Sequence, residues 1–244
     1  MKAKAEILIV KNVTREGPGL LQEFIHEAGL RFDEIDLDGG DSWPDLAAYE
    51  MMMVLGGPDS ANDPTSKIQE ELERIHEWVS SGRPYLGICL GLQLLVKAMG
   101  GRVERNPVKE VGFFDPQGKI YEVELTAEGM QDPLFKGFQT RLPVFQLHGE
   151  TVALTPEMKL LGTGRHCRNQ VVRVGQAAYG FQCHFELTPG LLEEWAAEDP
   201  DLKPLDQTQL LGHFKKTEGG YRNTAREIFI RFLNQARTLK GVRR

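Results

Sequence analysis

The strongest chemical candidates in the chain are a cysteine set between glycines and a histidine two residues ahead of a glutamate. Gly87-Ile88-Cys89-Leu90-Gly91 lies where the apolar run from Tyr85 to Cys89 gives way to a helical pattern at Leu90, Leu94, Leu95, Ala98 and Met99. A nucleophile on a sharp strand-to-helix turn needs small neighbours to relieve crowding, and glycine supplies them on both sides. The same turn sets the thiol at a helix N-terminus, where unpaired N–H groups and the helix dipole stabilise a thiolate. The competing reading makes Cys89 a small buried apolar residue whose glycines only permit close packing. A cysteine nucleophile also needs a base. Among the six histidines, His184 ends an apolar strand two residues before Glu186, and period-two alternation puts both side chains on one face. Glu186 would then fix the imidazole tautomer and stabilise the imidazolium. His26 and His76 fall within predicted helices beside acidic residues and read as surface groups, and His213 lies in the tail. Two sources of backbone N–H groups suit a developing oxyanion. One is Leu90, directly after the nucleophile, and the other is the Gly56-Gly57-Pro58 turn at the end of a neighbouring strand.

These residues need a scaffold that brings strand ends to one edge. Glu6 to Val10 is a short apolar run, followed after Gly17-Pro18-Gly19 by Leu20, Leu21, Phe24, Ile25 and Ala28 at helical spacing. A second run, Met51 to Leu55, leads to a helix with Ile68, Leu72, Ile75 and Val79 on one face, a capping box at Ser66 and Gln69, and Gly82 as its stop. With the Cys89 unit these are three β-then-α units, which predict a doubly wound α/β domain with a parallel sheet. From about 102 to 186 the pattern turns to short strands, including Ile120 to Leu125, Lys159 to Gly162, Val171 to Val174 and Ala177 to His184, which predict hairpins extending that sheet. The remainder is helical: Leu191 to Ala197, a segment around Leu210 to Phe214, and a last helix behind a Thr224/Glu227 capping box. Asp199-Pro200-Asp201-Leu202-Lys203-Pro204 reads as a hinge.

Composition narrows the function classes. The 244 residues carry a formal net charge of −6, and the terminal Arg243-Arg244 is the only basic block, which predicts no nucleic-acid partner. The longest uncharged stretch, Pro84 to Val96, is too short to span a bilayer, and Met1 to Glu6 lacks a signal-peptide core, so no membrane and a cytoplasmic location are expected. Three cysteines without a C-x-x-C pair suggest neither a disulfide framework nor a metal knuckle, and no metal or organic cofactor is expected.

Taken in order and at their separations, Leu55-Gly-Gly-Pro58, Pro84 to Gln93, His148-Gly-Glu150 and Gln182-Cys-His-Phe-Glu186 resemble a class I, triad-type glutamine amidotransferase. The similarity spans roughly residues 5 to 190. It is nearest to stand-alone relatives of the GMP synthase amidotransferase domain, a group that includes γ-glutamyl peptidases. It implies a flavodoxin-like, doubly wound, mostly parallel sheet flanked by helices, with added hairpins. Residues 1–190 would form the amidotransferase-like domain and 191–244 a helical extension packed on it. The resemblance makes Cys89 the nucleophile, His184 the acid/base, Glu186 its orienter, and Gly57 and Leu90 the oxyanion donors. Gln93 and the turn of His148, Gly149 and Glu150 match substrate-holding positions. Three residues depart from the pattern: Leu92 where histidine is frequent, Glu150 where aspartate is common, and Phe185 where proline usually stands.

The implied substrate is glutamine or a γ-glutamyl compound. No G-x-x-x-x-G-K-[ST] loop is present, so ammonia goes either to a separate synthase subunit or to none. The alternatives are a stand-alone γ-glutamyl peptidase and a catalytically silent binding protein on the same fold. An α/β-hydrolase with a cysteine elbow fits less well, because its acid precedes the histidine in the chain.

Overall fold

The computed structural model describes residues 5–242. The opening residues Met1 to Lys4 and the terminal Arg243-Arg244, read above for a leader and for basic charge, lie outside the described residues. Among the described residues, no helix is long and apolar enough to cross a membrane.

The three expected β-then-α units are present. They comprise β1 (Ile7–Lys11), α1 (Leu20–Glu27), β2 (Phe32–Asp36), β3 (Met51–Val54), α2 (Ser66–Ser80), β4 (Tyr85–Ile88) and α3 (Leu90–Ala98). β1 shows why its sequence is apolar throughout: Ile7 and Ile9 enter one core, shared with α1, while Leu8 and Val10 enter the other, shared with α2 and α3. A strand covered by helices on both faces has no polar side to show. The α2 cap differs from expectation by one position. Thr65, not Ser66, is the N-cap, and its Oγ1 accepts from Ile68 N at 3.3 Å.

The later strands are β5 (Arg102–Gly112), β6 (Glu122–Leu125), β7 (Arg141–Pro143), β8 (Gln146–Ala153), β9 (Lys159–Thr163), β10 (Val171–Val174) and β11 (Ala178–Phe181). A nine-stranded sheet runs β2-β1-β3-β4-β11-β10-β9-β6-β7. Pairing is parallel from β2 to β11 and antiparallel beyond. Because β11 lies parallel to β4, the carboxyl ends of β1, β3, β4 and β11 open at one edge. Three strands were not legible: the three-residue edge strand β7, and β5 and β8, which pair with each other in a separate antiparallel ribbon with a register shift between Arg105 and Glu110. That irregularity and the mostly polar face of β5 hide the period-two signal.

A short α4 (Ala127–Gln131) precedes β7, and α5 (Pro189–Glu198) and α6 (Gln207–Val242) complete the chain. The expected break before Thr224 is absent: α6 runs through Gly219-Gly220 and Thr224 as one helix. Leu210, Phe214, Tyr221, Ala225, Ile228, Phe229, Phe232 and Leu233 form a continuous buried stripe in the core cluster that also holds α1. Their burial outweighs the roughly 1 kcal/mol that each interior glycine costs. Phe229 packs on Phe24 of α1, with ring centroids 6.0 Å apart. The expected hinge is instead pinned, since Asp199 Oδ1 accepts from Asp201 N and Leu202 N and Leu202 is fully buried.

Candidate active site

Four loops from that common edge converge on one cavity of about 340 Å3, whose lining includes Glu16, Gly57, Cys89, Gln93, Gly149 and His184. The β4–α3 junction supplies the cysteine. Cys89 is the N-cap of α3 and the only non-glycine residue with positive φ among those described, at 52°. That conformation costs on the order of 1–3 kcal/mol. Close approach fixes it: a methyl on Gly87 would collide with the Gly91 carbonyl, and one on Gly91 with the Val54 carbonyl. Cys89 N donates to Phe181 O at 2.7 Å, tying the turn to β11. Leu90, as the first residue of α3, offers an N–H with no carbonyl a turn earlier to receive it.

The histidine and glutamate arrive differently from expectation. β11 ends at Phe181, so His184 and Glu186 lie beyond it and not on one strand face. His184 N donates to Phe145 O at 2.9 Å in an isolated bridge, and the chain then folds so that His184 Nδ1 lies 2.7 Å from Glu186 Oε1. Glu186 is itself fixed: its Oε2 accepts from Phe185 N at 2.9 Å, and its carbonyl accepts from Leu20 N at 2.8 Å. Trp195 of α5 stands edge-on to the His184 ring, 5.0 Å between centroids. The other ring nitrogen, Nε2, is buried and has no hydrogen-bond partner among the described residues. Burial by itself pushes the imidazole down, but the Glu186 carboxylate and the Cys89 thiol beside the ring outweigh it and hold His184 well above the ordinary histidine range. An open, basic nitrogen beside a thiol can take its proton and later return one to a leaving group.

Comparison with known proteins gives this geometry a family. The family model described as glutamine amidotransferase class-I matches residues 28–197. The chain belongs to the class I glutamine amidotransferase family. It is 31% identical over 184 residues to the glutamine amidotransferase-like protein YfeJ of Salmonella typhimurium, covering 73% of this chain and 74% of that one. It is 33% identical over 134 residues to a glutamine-hydrolysing GMP synthase subunit from Pyrococcus abyssi, covering 54% of this chain and 63% of that one. Of the glutamine-hydrolysing GMP synthase of Lactobacillus acidophilus it spans 23%, at 32% identity over 135 residues, with 54% of this chain covered. A solved glutamine amidotransferase from Thermotoga maritima superposes with a TM-score of 0.83 at 27% identity, covering 94% of this chain and 98% of that one. One from Methylobacillus flagellatus gives 0.84 at 24%, covering 96% of each, which bears on the fold alone.

Within this family frame the expected substrate-holding residues separate. Gln93 is buried, its Nε2 donating to Gln182 Oε1 at 3.3 Å, and Gln182 Nε2 lies 3.7 Å from the Cys89 sulfur. Glu150 lines the cavity and is held by Ser60 Oγ at 2.9 Å, and Gly149 borders the same space. His148 borders it too, but its ring is committed elsewhere: Nε2 lies 2.9 Å from Glu110 Oε2 and Nδ1 2.9 Å from Glu150 O. Leu92 is fully buried against Gly180 in the core and is not among the cavity residues. Phe185 contributes an N–H to Glu186, which a proline could not.

Glu110, His148 and Cys167 have donor atoms within 4.8 Å of one another, the one group of that kind among the described residues. Hydrogen bonds within the fold already engage both ring nitrogens and Glu110 Oε2, the latter also receiving Gln170 Nε2 at 3.1 Å. Burial pushes the Cys167 thiol up to about 11 and the Cys183 thiol further still.

Sequence reasoning quoted Gln182 within a motif without giving it a role, and it missed Glu16, Trp195 and Tyr221, whose hydroxyl accepts from Leu187 N at 3.2 Å. Only Glu16 left a trace, as an acidic residue in the loop after the first strand, at the edge where α/β ligands gather.

Proposed function

We propose that the chain hydrolyses the γ-amide of glutamine or a related γ-glutamyl compound through a thioester on Cys89. The observation that carries this reading is the one open valence of the buried dyad: His184 Nδ1 is tied to Glu186 while Nε2, beside Cys89, has no hydrogen-bond partner among the described residues. The Cys89 sulfur attacks the amide carbon, and the N–H groups of Gly57 and Leu90 receive the oxyanion. His184 Nε2 protonates the departing nitrogen, which leaves as ammonia or an amine. Water, deprotonated by the same nitrogen, then cleaves the thioester to glutamate. Glu150 lines the cavity, and among the described residues its carboxylate is met by the Ser60 hydroxyl alone, which suits the α-ammonium of the glutamyl group.

Release of ammonia would serve a separate synthase, in keeping with the GMP synthase relative from Pyrococcus abyssi. The test is a comparison of kcat/KM for glutamine and a panel of γ-glutamyl dipeptides, with Cys89→Ala as blank. Glutamine turnover that rises on adding a synthase supports a donor role, and preference for dipeptides supports a peptidase. Absence of turnover above the blank with every substrate and partner refutes the hydrolase reading.

A further inference from the structure

One ionisable group in the cavity has no part in the chemistry above. Glu16 sits in the β1–α1 loop, 5% exposed, and lines the same cavity as Cys89 and His184. The loop is locked to the dyad segment where Leu20 N–H meets Glu186 O. Gly56 locates the carboxylate: a methyl built there would lie 2.5 Å from Glu16 Oε2, 3.3 Å from His184 Cε1 and 3.5 Å from Cys89 Cβ. The carboxylate, the imidazole edge and the nucleophile's stem therefore border one point. Among the described residues, its ion-pair contact is Arg15 Nη2 at 3.9 Å, and that nitrogen lies closer, at 3.2 Å, to Asp199 Oδ2. A carboxyl buried with so little compensation is costly unless a ligand supplies the missing donor.

Resting on the hydrolase reading, we propose that Glu16 is a specificity-determining residue for the leaving group: its carboxylate accepts the N–H of the departing nitrogen, selecting γ-glutamyl amides over γ-glutamyl esters. In the step concerned the sulfur–carbon bond is formed, the carbon–nitrogen bond breaks, and the His184 Nε2 proton passes to the nitrogen. Glu16 accepts a hydrogen bond from a hydrogen already on that nitrogen and takes no proton. The amide nitrogen of glutamine carries two hydrogens and that of a γ-glutamyl peptide one, whereas an ester oxygen carries none and presents lone pairs to the carboxylate. Burial pushes the Glu16 carboxyl up to about 7, held back by His184 and Arg15 and reinforced by Glu186 and Asp199. Its acceptor strength therefore changes across neutral pH.

The experiment measures kcat/KM for glutamine and for γ-glutamyl methyl ester with wild type, Glu16→Gln and Glu16→Ala, using Cys89→Ala as blank. The expected result is a fall in the amide-to-ester ratio of roughly tenfold or more in Glu16→Ala, the range for a charged hydrogen bond, with Glu16→Gln in between. In wild type the ratio rises as pH passes about 7. Ionisations of Cys89 and His184 act on both substrates, so that step is flattened in Glu16→Gln. Where Glu16→Ala fails to fold, the near-isosteric Gln variant and its pH profile decide. Parallel loss on both substrates, or a ratio with the same pH step in wild type and Glu16→Gln, overturns the proposal. Where wild type turns over γ-glutamyl dipeptides but not glutamine, the same ratio is read with the preferred dipeptide as the amide. Absence of Cys89-dependent turnover of glutamine, the dipeptides and the ester, with and without a synthase, overturns the hydrolase reading and this assignment with it.

Discussion

Two places in the molecule assemble a cysteine, a histidine and a glutamate, and they differ in every respect that matters for chemistry. In the Cys89, His184, Glu186 group one ring nitrogen is tethered at 2.7 Å and the other is open. In the Cys167, His148, Glu110 group both ring nitrogens are engaged at 2.9 Å. Cys89 caps a helix with positive φ at the rim of a cavity, whereas Cys167 is fully buried, shares a contact of 3.2 Å with Thr151 Oγ1, and has its thiol pushed up to about 11. Residue types do not distinguish the two groups. What does is an unused valence beside the cysteine, on a histidine that lines the cavity.

The comparison breaks first on the cysteines. Cys89→Ala is expected to lower hydrolysis of the preferred γ-glutamyl substrate by roughly a thousandfold or more, and Cys167→Ala to leave it within about threefold, both read as kcat/KM. The histidines follow. His184→Ala should approach the Cys89→Ala loss with the fold intact, since groups acting as a unit are not additive. Glu186→Gln should cost kcat up to about 10^4-fold and no more than His184→Ala does, because an amide that keeps its oxygen on Phe185 N turns its NH2 to Nδ1 and holds the wrong tautomer. Alkylation by iodoacetamide near neutral pH should label Cys89 at least about tenfold faster than Cys167 or Cys183, as peptide mapping can establish. The smallest effect on rate belongs to His148→Ala, which should act on stability: the buried Glu110 loses a partner, for about 1–3 kcal/mol in denaturant unfolding. An inactive His148→Ala of native stability would mean that the two groups have been assigned the wrong way round.

The parallel half of the fold was legible because β1, β3 and β4 are buried on both faces and written as unbroken apolar runs. Cys89 was legible for a local reason, its flanking glycines. His184 and Glu186 do meet, at 2.7 Å, but not through the strand alternation expected: the strand ends at Phe181, and His184 is held by the Phe145 bridge instead. Glu16 lines the cavity from the β1–α1 loop and Trp195 meets the His184 ring from α5, and no local pattern encodes either contact. The continuity of α6 was hidden for a related reason. Gly219-Gly220 reads locally as a break, and only packing against α1 and the sheet overrides it.

The central claim is that Cys89 carries the γ-glutamyl group, and trapping that intermediate tests it most directly. Wild-type enzyme turning over its γ-glutamyl substrate is quenched in acid, digested and mapped by mass spectrometry. The account predicts a hydroxylamine-sensitive γ-glutamyl adduct on the peptide containing Cys89, absent from Cys89→Ala. An adduct on Cys167 or Cys183, or turnover that persists in Cys89→Ala, would contradict it.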